Sequence, residues 1–155
     1  MPDKTTALLF RTAVLTFEEL GFLLPSEEVD ARQAAAAPSA MVSLDFVGPF
    51  AGTLLLRLYG DLLPELASNM LGEEEAPPLQ EQLDALGEVT NVICGNLLPA
   101  IAGREQVFDL GEPRVAAGAS PADDADFGEL RAETVVGLAG GRAELSLYVR
   151  AEVKV

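Results

Sequence analysis

The stretch "LDALGEVTNVICGNLLPAI", residues 83–101, decides most of the fold prediction. Its apolar residues recur at spacings of three and four, which predicts a helix with one buried stripe. We expect this helix to cover residues 79–98 and to kink or end near Pro99, because proline lacks a backbone N–H and clashes with the preceding turn. The expected buried stripe consists of Leu83, Leu86, Thr90, Ile93 and Leu97.

A second line of residues on the same helix is polar. Asp84, Glu88, Asn91 and Gly95 are spaced four, three and four apart, so they share one face, away from the apolar stripe. Gly87 and Gly95 each cost a helix about 1 kcal/mol relative to alanine, which suggests that something approaches the helix closely. Two interpretations are open: an ordinary solvated face with glycines that pack on a sheet, or a binding site.

The chemistry available to this face is narrow. A carboxylate and an amide three residues apart cannot build a nucleophile or a metal cage alone, since Mg²⁺ needs more oxygen ligands or a substrate phosphate. Glu88 can accept a salt bridge from a partner's lysine, and Asn91 can offer a donor and an acceptor to one water molecule. A glutamine in GTPase sites orients water against a phosphoryl group in this way.

Composition limits the class of protein. The chain has 155 residues, of which 49% are hydrophobic and 23% charged, which favours a single globular domain over residues 1–155. Its net charge of −15 disfavours nucleic acid and anionic membranes as partners. No histidine is present, which excludes a Ser-His-Asp triad and a histidine-based zinc site. The single cysteine, Cys94, and the lack of an 18-residue apolar run favour a cytoplasmic protein without a membrane span.

The rest of the chain alternates between helices and hairpins. Helical spacing covers residues 5–22, and strand alternation covers residues 41–47 and 53–59, which together predict an antiparallel hairpin. After the second strand, Asp61 is a candidate N-cap and Gly72 a candidate C-cap of a short helix. Residues 26–40 fit either a loop or a short extra helix.

The C-terminal part is predicted to be mostly strand. Short strands broken by Gly111 and Pro113 are followed by a polar loop at residues 119–128 and by a hairpin over residues 130–153. Because helices and hairpins segregate, we predict an α+β fold in which two long helices pack on one face of an antiparallel sheet. The order of elements also suggests two similar halves.

The segment "DALGEVTNVICGN" resembles the signature helix of the CheC/CheX/FliY phosphatases of bacterial chemotaxis. Their pattern is Asp or Ser, three residues, Glu, two residues, Asn, with a proline some two dozen residues on. Asp84, Glu88 and Asn91 match this pattern, and Pro113 lies close to the expected place. The segments "MLGEEE" and "VFDLGEPRV" also resemble a CheX-type domain, and the resemblance extends over nearly the whole chain, with the pseudo-two-fold arrangement of that fold.

The resemblance implies a protein aspartyl-phosphate phosphatase that acts on CheY-like response regulators. Asn91 would orient the attacking water and Glu88 would pair with the receiver lysine, with Asp84 and Gly95 as further partner-binding positions. Mg²⁺ would belong to the receiver, and this chain would have no cofactor or metal of its own. The first helix has Glu18 but no matching asparagine, which implies one CheX-like site, and the family resemblance also implies a homodimer through sheet edges.

Two other interpretations remain open at the level of sequence. A CheX-like module without catalytic activity would only bind a receiver or dimerise, although pure binding would not need an amide at Asn91. An unrelated domain that binds a small ligand is the third possibility, and the ordered set of motifs argues against it.

Overall fold

The structure, a computed structural model, describes residues 3–118 and 127–150. Its elements follow in chain order as four helices and six strands within those ranges: α1 (Lys4–Gly21), α2 (Ala31–Ala34), β1 (Pro38–Val47), β2 (Gly52–Tyr59), α3 (Leu63–Leu71), α4 (Leu79–Ala102), β3 (Asp109–Leu110), β4 (Arg114–Ala117), β5 (Glu129–Leu138) and β6 (Gly141–Val149). The predicted polar loop at residues 119–128 lies mostly outside the described residues.

The strands form one antiparallel sheet. The order of the strands is β3-β1-β2-β6-β5, with β4 also paired to β1. The hairpins β1–β2 and β5–β6 therefore meet through β2 and β6, which lie side by side in the centre of the sheet. Helix α1 packs on β5, and α4 packs on β1 and β4, so the long helix that precedes each hairpin contacts the other hairpin. The predicted α+β class, with two long helices on an antiparallel sheet, is confirmed.

The core lies between the helices and one face of the sheet. Val42, Leu44 and Phe46 of β1 are buried there, in agreement with the alternation in the sequence. Phe46 also meets the rings of Phe50 and Phe108 edge-on, which closes the β1–β2 turn over the end of the core. The sheet and the long helices therefore share one apolar cluster.

The predicted N-cap of α3 differs from the structure, whereas its predicted C-cap does not. Asp61 is not the N-cap of α3: Leu62 occupies that position without a side-chain cap, and a proline in the first turn removes one of the amides that a cap would satisfy. The C-cap prediction at Gly72 is confirmed, with φ of 68°. The segment of residues 26–40, which fits either a loop or a helix by sequence, contains the short helix α2. Asp30 and Gln33 cap the N-terminus of α2 through a reciprocal pair of hydrogen bonds.

Helix α4 does not end at Pro99, contrary to one of the two outcomes expected from the sequence. It continues to Ala102, and its C-cap amide at Gly103 donates to the carbonyl of Pro99 at 2.8 Å. Because Pro99 has no N–H, it cannot donate to the carbonyl of Gly95 one turn earlier. Burial of Leu97 and Leu98 holds this last part of the helix against the core.

By length and composition alone, α4 would also pass for a membrane-spanning helix. Half of its most apolar 18-residue window is buried inside the fold, as in the core helix of a globular domain. No other helix in the described ranges meets the same criteria. We therefore interpret α4 as the central core helix.

Candidate functional site

Helix α4 separates a buried face from an open one. Leu86, Thr90, Ile93 and Leu97 have no exposed surface, and the hydroxyl of Thr90 is satisfied inside the helix by donating to the carbonyl of Leu86 at 2.9 Å. Leu83, the first residue of the expected stripe, is only partly buried. On the open face, Asp84, Glu88 and Gly95 are exposed and Asn91 is half-buried. The structure thus brings the four predicted site residues together on one accessible face.

The side chains on this face differ in their partners. Asp84 accepts a hydrogen bond from the amide of Gln80, one turn earlier, at 3.0 Å. Glu88 and Asn91 make no side-chain hydrogen bond or ion pair with any residue that the structure describes. A carboxylate and an amide at this spacing are thus presented to solvent on a rigid helix that the core holds in place.

The two glycines of α4 have different surroundings. A Cβ at Gly87 would lie 3.3 Å from Cγ2 of Val115 and 3.4 Å from Cβ of Pro113, so the chain around β4 does approach the helix there. A Cβ at Gly95 would meet no described atom within 4 Å. The expected close approach is therefore found at Gly87. Gly95 leaves an open patch beside Asn91, whereas Pro113 packs against the motif helix at Gly87.

Two neighbours of Asn91 lie outside this arrangement. Cys94 is fully buried, and burial raises the pKa of its thiol to about 12, so the thiol stays protonated and behaves as a small hydrophobe. Asn96 is exposed but points about 140° away from Asn91 around the helix axis. Asn96 is therefore a natural control for Asn91.

The two helices that flank the site, α3 and α4, carry charge of a single sign. Between Arg57 and Arg104 the chain contains no lysine or arginine, although this segment includes the whole of α3 and α4. Its acidic residues include Asp84 and Glu88 on the open face, together with Glu81 one turn earlier. The resulting field attracts cationic groups and repels a surface of the same kind.

A groove next to Glu88 is not apparent from the sequence. It has a volume of about 420 Å³ and lies between the end of α3 and the first half of α4. No spacing rule reveals it, because the groove depends on how α3 and α4 pack against each other. Its lining residues are Met70, Leu71, Glu81, Asp84, Ala85 and Glu88.

The oxygen ligands on the open face of α4 are too few to form a metal centre. Within residues 3–118 and 127–150, no three Asp, Glu or Cys side chains lie close enough together to hold a metal ion. Any metal ion that meets Glu88 would therefore need ligands from another molecule.

Comparison of the fold with solved structures finds chemotaxis proteins. A CheX from Desulfovibrio desulfuricans is 16% identical with a TM-score of 0.70, covering 96% of this chain and 100% of that one. A CheX from Vibrio vulnificus is 19% identical with a TM-score of 0.67, covering 96% and 97%. CheX in a CheX–CheY–BeF3–Mg²⁺ complex from Borrelia burgdorferi is 16% identical with a TM-score of 0.66, covering 94% and 97%. At these identities the likeness shows a shared fold.

Sequence comparison identifies the family. Among curated proteins no match was found. The family model of the chemotaxis phosphatase CheX matches residues 40–126, more than half of the chain and the whole of α4 with its Asp84, Glu88 and Asn91. The chain belongs to the CheX family of chemotaxis phosphatases.

Proposed function

We propose that this protein hydrolyses the aspartyl phosphate of a CheY-like receiver domain. In this proposal Asn91 orients the attacking water, and Glu88 pairs with the lysine of the receiver's active site. The receiver supplies the phosphoryl group and Mg²⁺, and this chain supplies no cofactor.

The observation that carries the proposal is that the side chains of Glu88 and Asn91 are accessible and unpaired among the described residues. Both lie on the open face of α4, one turn apart, and neither has a side-chain partner among the described residues. Fully buried polar groups are normally hydrogen-bonded within the protein, whereas the side-chain polar atoms of Glu88 and Asn91 stay accessible to solvent or to a partner. An amide that is half-buried and unpaired on a rigid helix is well suited to hold a water molecule once a partner covers it.

The physical basis of catalysis would be positioning. Phosphoryl transfer passes through a loose transition state, so placing water in line with the phosphorus and stabilising the equatorial oxygens supply most of the acceleration. A CheX relative forms a complex with CheY, BeF3 and Mg²⁺. That complex supports a receiver as the partner and the receiver as the source of Mg²⁺. A purely binding module remains the alternative, and the test below separates the two.

The test follows phosphoryl loss from phosphorylated receivers of the same organism. Wild type should accelerate the loss for at least one receiver. Asn91→Ala should lose turnover while retaining most of its affinity for a receiver activated with beryllofluoride, and Glu88→Ala should lose affinity as well. Asn96→Ala is the matched control, because it removes an exposed amide from the same helix on another side.

Two outcomes contradict the proposal. If no receiver loses phosphate faster with wild type but one binds tightly, the protein is a binding module. If Asn91→Ala is as active as Asn96→Ala, a different residue performs the reaction.

We also propose that the protein acts as a single domain, residues 1–155, in the cytoplasm and as a homodimer joined through sheet edges. Strand β5 is an edge strand of ten residues, and among the described residues its outer side is bridged only at Pro25 and Leu138. An unpaired edge of this length is a template for strand pairing between copies. Light scattering should give twice the chain mass of 16.3 kDa, and a mass of one chain at micromolar concentration would contradict the dimer.

A further inference from the structure

The groove between α3 and α4 adjoins the proposed catalytic face but has no part in the water placement described above. Its apolar part consists of Met70 and Leu71 from α3 and Ala85 from α4. Leu71 is 50% exposed, so a large apolar side chain is left facing solvent at this point. Ala85, only 8% exposed, lies at the bottom of the groove, where a larger side chain would fill it.

The acidic part of the groove shares residues with the catalytic face. Glu81, Asp84 and Glu88 line it at spacings of three and four along α4. Neither Glu81 nor Glu88 forms an ion pair with a described residue, and neither α3 nor α4 contains a lysine or arginine. An occupant that places a cation there would therefore find carboxylates that the protein itself leaves uncompensated.

We propose that this groove is a second part of the receiver-binding surface, and that it takes an apolar side chain of the receiver that lies next to a lysine or arginine. The inference rests on the proposed function and extends it, because the groove would govern affinity and choice of receiver while Asn91 governs the rate of hydrolysis. Continuity supports it: a receiver whose lysine pairs with Glu88 already covers one wall of the groove.

Charge complementarity selects this occupant over a second copy of the chain. Two copies that met through this groove would bring acidic surfaces of the same sign together, since residues 58–103 contain no basic residue and the net charge is −15. The apolar part of the groove also disfavours a purely ionic contact, because burying Leu71 requires an apolar side chain on the partner.

Two substitutions test the groove without touching Glu88 or Asn91. Ala85→Leu fills it, and Leu71→Ser removes its most exposed apolar side chain. Each should weaken binding of a beryllofluoride-activated receiver by about tenfold and raise KM for the phosphorylated receiver similarly, with kcat unchanged. Because Leu71 lies on the surface, Leu71→Ser keeps the test valid if Ala85→Leu should disturb the packing.

The controls are matched in chemistry and exposure. Ala100→Leu adds the same side chain at an exposed position of α4, and Leu15→Ser removes a leucine that is 43% exposed on α1. Both should bind the activated receiver as wild type does.

The possible failures are distinct. If wild type is an active phosphatase and both groove variants keep wild-type affinity and KM, the groove inference is overturned and the proposed function stands. If wild type binds a receiver without hydrolysis and the groove variants lose that binding, the groove inference stands and the phosphatase assignment fails. If Leu71→Ser changes only the oligomeric mass, the groove belongs to a contact between copies and the inference is overturned.

Discussion

At the scale of single residues, Glu88 is the side chain whose role depends most on a partner. It is exposed and unpaired among the described residues, so it adds nothing specific to the fold and is free to meet a cation. Asp84, one turn earlier, already accepts a hydrogen bond from Gln80 and is less available. The two carboxylates are therefore expected to contribute unequally to receiver binding.

This difference leads to a prediction about affinity. Glu88→Gln keeps the size of the side chain but removes the charge, and it should weaken binding of an activated receiver by about tenfold. Asp84→Asn should have a smaller effect. Titrations at low and high salt provide the check, because the affinity of wild type should fall with salt more steeply than that of Glu88→Gln. Equal affinities at low salt would exclude an ion pair at Glu88.

At the scale of elements, one face of α4 packs in the core, and we propose that the opposite face binds a partner. Gly87 faces the chain around β4, whereas Gly95 faces open space beside Asn91. The cost of a glycine in a helix is similar at both positions, so an alanine should reveal what each glycine makes room for.

The two alanine substitutions should therefore differ. Gly95→Ala should raise the free energy of unfolding by about 1 kcal/mol, because the methyl group meets nothing in the free protein. Because Gly95 is one of the expected partner-binding positions, the same variant should also bind the receiver more weakly. Gly87→Ala should stabilise less, because its methyl group would crowd Val115 and Pro113. Urea denaturation and receiver titration measure both effects, and equal stabilisation by the two variants would contradict this description of α4.

Local sequence patterns predicted most of the elements but not all of their ends. The alternation of Val42, Leu44 and Phe46 and the three-and-four spacing in α4 follow from burial on one side, which repeats with the period of the element. The helix continues past Pro99 because burial of Leu97 and Leu98, with Ile101 packed against the core, outweighs the local penalty of the proline. The open face of α4 could be found from spacing, but the groove at Ala85 depends on contacts between two helices and has no local signal.

At the scale of the whole molecule, charge is distributed unevenly. The face of α4 is acidic without compensation, whereas the outer face of the sheet holds acids that are paired. Asp45 accepts hydrogen bonds from Thr53 at 2.6 Å and from Arg114 at 3.1 Å, and Arg150 lies 3.6 Å away. This cluster ties β1, β2 and β4 to the residue that follows β6.

The cluster predicts how stability depends on pH. Burial alone would raise the pKa of Asp45, but the hydrogen bonds from Thr53 and Arg114 and the charges of Arg114 and Arg150 outweigh it and hold the pKa below its usual value. Its contribution is therefore complete above the unfolded-state pKa of about 3.9 and is lost as the pH falls through the lower folded-state pKa. Asp45→Asn should reduce stability at pH 7 and differ less from wild type below about pH 4. A difference that grows on acidification would contradict this assignment.

In the proposed reaction Asn91 carries the chemical step, while the rest of the open face carries binding. Single-turnover dephosphorylation of a cognate receiver, with this protein at saturating concentration, tests it most directly because affinity no longer limits the rate. We predict that Asn91→Ala slows the step by about 100-fold and that Asn96→Ala leaves it unchanged. A rate for Asn91→Ala within about twofold of wild type would contradict the claim.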